Sequence, residues 1–212
     1  MEISRILTEF ESVVQDSSYD ETWQLLKLNE CLILLATMCR IPGLQRTEPI
    51  TAAVASSSAP MSKKYLHDLY QVTTPTYPQG LLLAPNLKAL KETFDPEQTG
   101  AVAMVALEYK TLHYRPIPEE EEDLTCSFYG LPMELGASDD LPAYIPELFQ
   151  KELFLNYLLK EAFMQIEDGI DGVQFNTQKY GNAWGGALAT LQQFYPTAPK
   201  ARPEIKRAGS FF

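Results

Sequence analysis

The most constraining feature of the sequence is a long segment that is apolar on almost every side of a helix. It spans residues 20–39 and reads DETWQLLKLNECLILLATMC. Its apolar side chains form one stripe at helical spacing and then widen it: Leu25, Leu28, Leu32 and Leu35, with Leu26, Ile33 and Met38. A helix that is apolar nearly all round has to be surrounded by other elements. We therefore predict that this segment is the central helix of a bundle.

Three further long segments and one short segment show the same helical period of apolar residues. The long segments cover residues 2–15, 146–168 and 175–194. The short one, NLKALKETF, covers residues 86–94 and begins at Asn86, a residue type that caps helix N-termini well. The long segments and the central helix together predict a bundle of about four helices.

The pattern changes between Thr47 and Leu135 to short β-type runs separated by Ser, Pro and Gly. These runs are PITAAVA, YLHDLYQVTT, GAVAMVALEY, TLHYRPI and LTCSFYGL. We therefore predict an α+β protein: a bundle of about four helices with a small inserted antiparallel β lobe and an extended C-terminal tail. The predicted division is 1–46 for the first helices, 47–135 for the lobe, 136–196 for the last helices and 197–212 for the tail.

An acidic run interrupts the predicted strands: Glu119, Glu120, Glu121 and Glu122, followed by Asp123. Prolines at 116 and 118 should stop the strand before it. The strand after it alternates, with Leu124, Cys126 and Phe128 on one face. This arrangement predicts a two-stranded wing whose acidic tip is solvated, because consecutive like charges repel one another.

Composition limits the classes of function. The chain has 212 residues, 45% of them hydrophobic, so it can bury a core of its own. Its net charge of -11 argues against a grip on nucleic acid, which needs clustered Lys and Arg. The N-terminal residues lack the basic flank of a secretory peptide, and no apolar run reaches the roughly 18 residues of a membrane span. We therefore expect a protein made and kept in a cytosol, with no membrane partner.

Residues that could perform chemistry are few. His67 and His113 stand apart from metal-binding or nucleophile motifs. The cysteines are odd in number, and two of the three lie in apolar surroundings, which favours packed thiols over a disulfide framework. Glu152 and Asp168 could in principle form the carboxylate pair of a glycosidase. The acidic run could bind a cation, but it lacks the interposed glycine of a calcium loop. We predict no catalytic residue, no cofactor and no metal.

The order of these patterns resembles the head-tail adaptor proteins of tailed bacteriophages, especially those of short-tailed phages. DSSYDETWQLLKLNECLILLATMCRIPGLQ is similar to the family's aspartate-led helix with a central Leu-Asn. NLKALKETF and ALEYKTLHYRPIP resemble its short helix and its strand, turn and strand closing on Pro-x-Pro. LTCSFYGLPMELGASDDLPAYIPELFQKEL matches its aromatic strand, paired-Asp loop and proline-opened helix most densely. The turn in LEYKTLHY departs from the pattern, because it contains no glycine.

The resemblance implies a structural virion protein at the head-tail interface, made in the host cytoplasm. Such proteins form a ring, a dodecamer in the family, which binds the portal protein and offers its other face to the tail tube or nozzle protein. DNA would pass through the ring without specific binding, since an acidic body repels it. Two other classes stay open: a virion-associated cell-wall hydrolase and a non-viral helical scaffold protein.

The C-terminal tail has a different charge from the rest of the chain. Lys200, Arg202, Lys206 and Arg207 stand against the single acidic residue Glu204, and the sequence ends on Phe211 and Phe212. Because bases favour an acidic surface and aromatic rings favour an apolar pocket, we expect Arg202, Lys206, Arg207, Phe211 and Phe212 to dock on the portal. The alternative is a solvated, disordered end.

Overall fold

The computed structural model describes residues 1–167 and 174–195. Its contacts divide the chain into two units, described separately below. The helical unit comprises Met1–Leu44 with the described part of Leu131–Thr197, and the β unit comprises Gln45–Gly130.

The described residues contain five α-helices. They are α1 (Ile3–Val14), α2 (Glu21–Met38), α3 (Leu87–Thr93), α4 (Glu147–Ile166) and α5 (Phe175–Phe194). Two of them begin at a capping side chain: the Asn86 side chain accepts a hydrogen bond from the backbone N–H of Ala89, as expected, and the Asp20 carboxylate accepts one from that of Trp23. The five helical segments predicted from the sequence are therefore confirmed, to within two residues at each end.

The helical unit contains α1, α2, α4 and α5, and α4 packs against each of the other three. On α4, the buried residues include Leu153, Phe154, Leu158 and Ala162. Leu28, Leu32 and Leu35 of α2 are at most 1% exposed, but the prediction that α2 is the central helix is wrong: Leu26, Ile33 and Met38 are exposed, and the helix that packs on the other three is α4. Rings from α1, α2 and the loop between them form a further cluster of Phe10, Tyr19 and Trp23. The core of this unit is therefore apolar side chains of α2 and α4 with an aromatic cluster at one end.

The β unit contains seven strands in two sheets, together with α3. The strands are β1 (Gln45–Ala52), β2 (Ser58–Pro60), β3 (Tyr65–Thr73), β4 (Leu82–Leu83), β5 (Met104–Glu108), β6 (Thr111–Arg115) and β7 (Glu122–Gly130). One sheet has the order β1-β7-β3 and the other the order β2-β6-β5-β4. All pairs are antiparallel except β4 with β5.

The core of the β unit follows the alternation that the sequence shows. Leu124, Cys126 and Phe128 of β7 are completely buried, and they share a cluster with Val72 of β3 and Leu112 of β6. The edge strands are irregular. Pro49 lies opposite Thr125 within β1, where it can donate no backbone hydrogen bond, and β3 shifts its register twice along β7.

The fold class predicted from the sequence is wrong. In place of a bundle of about four helices with a small antiparallel lobe, the described residues form five helices and two sheets with seven strands. β2 and β4 have only three and two residues, too few to show a period of two in the sequence. α3 packs through Leu90 against Met104 and Ala106 of the β unit. The predicted tail, 197–212, lies outside the described residues.

The predicted two-stranded wing is also wrong, because β6 and β7 belong to different sheets. Residues 116–121 carry the chain from one sheet to the other. The prolines do end β6 at Arg115, and the acidic residues 119–121 are exposed as expected. The sequence pattern identified the turn and the strands, but it could not specify which strand pairs with which.

We expect Leu32→Asp to unfold the helical unit. Leu32 is 1% exposed, and burying an unpaired carboxylate costs several kcal/mol against a typical total stability of about 5–15 kcal/mol. Circular dichroism melting would check this, with Ile33→Asp as the matched control, because Ile33 is 46% exposed on the same helix. A cooperative melt of Leu32→Asp at the wild-type temperature would contradict the assignment of α2 to the core.

Candidate functional site

The acidic run lines a surface cleft of about 510 Å³ at one end of the β unit. We call it the acidic cleft. Its other lining residues are Pro75, Thr76, Gly100, Ala101 and Pro118. The segment after β6 is held in place by Ile117, whose N–H donates to the Gln98 carbonyl at 2.8 Å and whose carbonyl accepts from the Gly100 N–H at 2.9 Å. The cleft therefore stands on a hydrogen-bonded backbone.

Three carboxylates of the cleft each accept one hydrogen bond, that of Asp123 from the Thr51 hydroxyl at 3.1 Å. Glu119 accepts from the Thr99 hydroxyl at 2.6 Å, and Glu122 accepts from the Val102 N–H at 3.0 Å. The second carboxylate oxygen of Glu122 is buried and accepts no hydrogen bond from the described residues. No described Lys or Arg forms an ion pair with residues 119–123. The cleft is therefore a strongly negative surface that nothing in the described chain neutralises.

The residues considered for chemistry do not come together. His67 in β3 stacks on Tyr129 with ring centroids 5.2 Å apart and lies 3.1 Å from the Asp68 carboxylate, while His113 is half-buried in β6. Glu152 is exposed on α4, and Asp168, its proposed glycosidase partner, lies outside the described residues. Within 1–167 and 174–195, no group of three or more His, Cys, Asp or Glu is placed to hold a metal ion.

The three cysteines are free and buried, so the prediction of packed thiols is confirmed. Burial raises the pKa of Cys126 to about 12 and also raises the pKa of Cys31 and of Cys39. Because the thiolate is the reactive form, none of the three is suited to act as a nucleophile near neutral pH.

Asn29, in the middle of α2, joins this helix to a loop more than 100 residues away. Its side-chain amide donates to the Leu135 carbonyl at 3.1 Å, and its oxygen accepts from the Leu135 N–H at 2.7 Å. One residue further, the Gly136 N–H donates to the Asp139 carboxylate at 2.7 Å, and the Asp139 carbonyl accepts from the Ile3 N–H at 3.1 Å. These contacts fix the loop 135–139 on both α1 and α2.

Glu167 caps the N-terminus of α5, a role that the sequence did not suggest. Its carboxylate accepts from the N–H groups of Asn176 and Thr177 at 3.0 Å each, and from the Thr177 hydroxyl at 2.8 Å. Burial opposes ionisation of this carboxyl, but the hydrogen bonds from Thr177 and Asn176 outweigh it and lower its pKa. The only sequence signal is an acidic residue several positions before a helix that has no capping side chain of its own.

A charged network lies between α2, α4 and α5. The Lys160 ammonium is 2.7 Å from a Glu161 carboxylate oxygen, 4.6 Å from the centroid of the Tyr157 ring and 5.4 Å from that of Trp184. Lys27 approaches the other Glu161 oxygen at 3.7 Å. Because Glu161 is 8% exposed, its charge requires these two cations. These contacts connect α2, α4 and α5. They do not indicate a catalytic reaction.

None of the helices in the described part of the chain has both the length and the hydropathy to cross a bilayer. No family model matches the sequence, and no curated protein matches it. The predicted portal-docking residues Arg202, Lys206, Arg207, Phe211 and Phe212 lie outside the described residues. The acidic cleft, with Glu119, Glu120, Glu121 and Glu122, is therefore the predicted site that can be described in atomic terms.

We expect Asn29→Ala to destabilise the helical unit by about 1–3 kcal/mol, because it leaves both backbone groups of the largely buried Leu135 without partners. Urea unfolding would measure the change. Asn29→Asp keeps the acceptor for the Leu135 N–H and loses only the donor, so it should lie between the wild type and Asn29→Ala. Equal stability of all three proteins would show that this connection contributes nothing.

We expect Glu167→Ala to lower the melting temperature at neutral pH. The folded pKa of Glu167 is depressed below its ordinary value of 4.5, so its contribution is fully present above pH 4.5 and disappears as the pH falls through the folded pKa. The difference from wild type should therefore shrink on acidification. Glu152→Ala, on the exposed side of α4, is the control and should melt like the wild type at every pH. A difference that persists undiminished in acid would contradict the capping role.

Proposed function

We propose that this protein is a structural virion protein of a tailed bacteriophage, a head-to-tail adaptor that forms a ring beneath the portal. The ring joins the portal to the tail tube or nozzle and leaves a central passage for DNA. Synthesis in the host cytoplasm followed by residence at the head-tail interface belongs to the same proposal.

The contact between Asn29 and Leu135 carries this proposal. Asn29 belongs to the Leu-Asn of the first matching segment, and Leu135 belongs to the last and densest one. Three polar residues of these patterns have a physical role in this chain: Asp20 caps α2, Asn29 binds the distant loop, and Asp139 closes that loop. The resemblance therefore rests on residues that contact one another, which supports a common architecture for the helical unit.

The charge of the chain supports the passage of DNA. A ring of copies that each carry a net charge of -11 would repel phosphates, so a genome could slide through it without being held. The acidic cleft faces solvent and offers Glu119, Glu120, Glu121 and Glu122 to a neighbouring subunit or to the next tail component. The basic, aromatic tail offers Arg202, Lys206, Arg207, Phe211 and Phe212 to the portal.

We expect the purified protein to form rings on purified portal rings of short-tailed phages, visible by electron microscopy and by co-sedimentation. A chain that stops after Pro196 should stay folded and no longer sediment with the portal rings. Replacing Arg202, Lys206 and Arg207 by Ala should give a milder, salt-dependent loss that is largest at low salt, because added salt screens the charges of the wild-type tail as well.

Lys88→Ala is a suitable control for the charge variants, since this side chain is 83% exposed in the β unit, away from the tail in sequence. If the shortened chain bound the portal as tightly as the full chain, the tail would have no docking role. Absence of portal binding and of rings with the full chain would contradict the proposed function itself.

A further inference from the structure

The turn between β5 and β6 presents an exposed aromatic ring in a costly backbone conformation. Tyr109 and Lys110 form this turn, with Glu108 paired to Thr111. Tyr109 has φ 55°, in the left-handed region that favours glycine, and it is 93% exposed. The Lys110 carbonyl accepts from the Met61 N–H at 2.9 Å, so the backbone of the turn is held. Strain combined with exposure is typical of a residue retained for contact rather than for folding.

A lysine and an exposed carboxylate lie next to this ring in the chain: Lys110 follows Tyr109 and Glu108 precedes it. The loop that starts at Met61 continues with Lys63 and Lys64. Lys64 lies 3.4 Å from the Glu48 carboxylate. Lys63 and Lys110 are exposed and form no ion pair within the described residues. We call Lys63, Tyr109 and Lys110 the basic knob.

The acidic cleft lies at the other end of the same strand. β6 begins next to the knob at Thr111 and ends at Arg115, roughly 13 Å away for four steps of about 3.3 Å each. The cleft holds five acidic residues, the rings of Pro75 and Pro118, and a buried Glu122 oxygen that lacks a hydrogen-bond donor. Its volume of about 510 Å³ is in the range of clefts that hold a whole small ligand, so one tyrosine side chain fits within it. One unit thus carries two surfaces of opposite chemistry at opposite ends.

We propose that the basic knob of one copy docks in the acidic cleft of a second copy. Tyr109 would pack against the proline rings, and Lys110 and Lys63 would face the carboxylates. The inference rests on the adaptor ring proposed above and specifies which surfaces its subunits use.

The proposed ring requires the head-to-tail form of this contact. A twofold pair could also seat each knob in the cleft of the other copy, but it would use both knobs and both clefts and end at a dimer. A head-to-tail contact uses a different surface on each partner, leaves one knob and one cleft free, and closes into a ring when the rotation between copies allows it.

The small size of the contact explains why closure of the ring matters. A buried tyrosine contributes roughly 150–250 Å², whereas specific interfaces bury about 1,200–2,000 Å². A single knob in a single cleft is therefore a weak contact. In a closed ring each copy is held by two such contacts, and the second forms at high effective concentration.

Disulfide trapping tests the proposal on the full-length protein. Lys110→Cys and Glu120→Cys in one chain should give a ladder of covalent oligomers under mild oxidation, because each copy then carries both halves of the contact. The native thiols are 2% exposed or less and should not compete. The two single variants mixed together should give a heterodimer and no ladder.

The control pairs Lys110→Cys with Glu92→Cys, an acidic residue on α3 whose side chain is 66% exposed. If the variant with cysteines at 110 and 120 gave no more covalent oligomer than the control, the proposal would be overturned. A strong ladder without portal binding would support this contact and contradict the adaptor function. Portal-bound rings without the ladder would leave the adaptor function standing and remove this contact.

Tyr109→Gly in the 110/120 background gives an independent measurement. It removes the ring and the left-handed strain together, so the melting temperature should not fall, while the yield of trapped oligomer should drop by about tenfold or more. An unchanged yield would show that Tyr109 is not an anchor of the contact.

Discussion

The burial of α2 is the constraint on which the helical unit depends. Leu28, Leu32 and Leu35 form its buried face, whereas Leu26, Ile33 and Met38 on its other sides are exposed. α4 supplies the main cover, and it packs at the same time on α1 and α5, which makes it the element that all three share. The polar contacts then specify one of the arrangements in which these apolar side chains could pack. Asn29 fixes α2 to the loop at Leu135, and the Glu161 network aligns α2, α4 and α5.

The helices could be predicted from the sequence because their signals are local. The Asp20 and Asn86 caps and the stripe of leucines each lie within a few residues of the structure that they specify. The strands of the β unit were recognised where alternation ran for five residues or more, as in β7. Their pairing depends on contacts between segments far apart in the chain, so β6 and β7 were placed in one wing although they belong to different sheets.

The candidate site also combines local sequence signals with contacts between distant segments. A run of five acidic residues is visible in any reading of the sequence, and so is its exposure. The cleft that it lines also needs Pro75 and Gly100, which are more than 15 residues away and carry no signal of their own. Glu167 and Tyr109 were missed for a related reason. Their importance comes from hydrogen-bond geometry and from a backbone angle, which composition and spacing do not encode.

The irregular edge strands of the three-stranded sheet affect how closely spaced copies of the protein would interact. Subunits of a ring stand side by side at a local concentration far above that of free protein, where a regular exposed strand would invite the strand of a neighbour to join its sheet. Pro49 interrupts the donors of β1, and the register shifts of β3 break the even spacing that a joining strand would require. In the ring proposed above, neighbouring copies would therefore be discouraged from merging their sheets, and recognition between them would depend on side chains, which can be specific for one orientation.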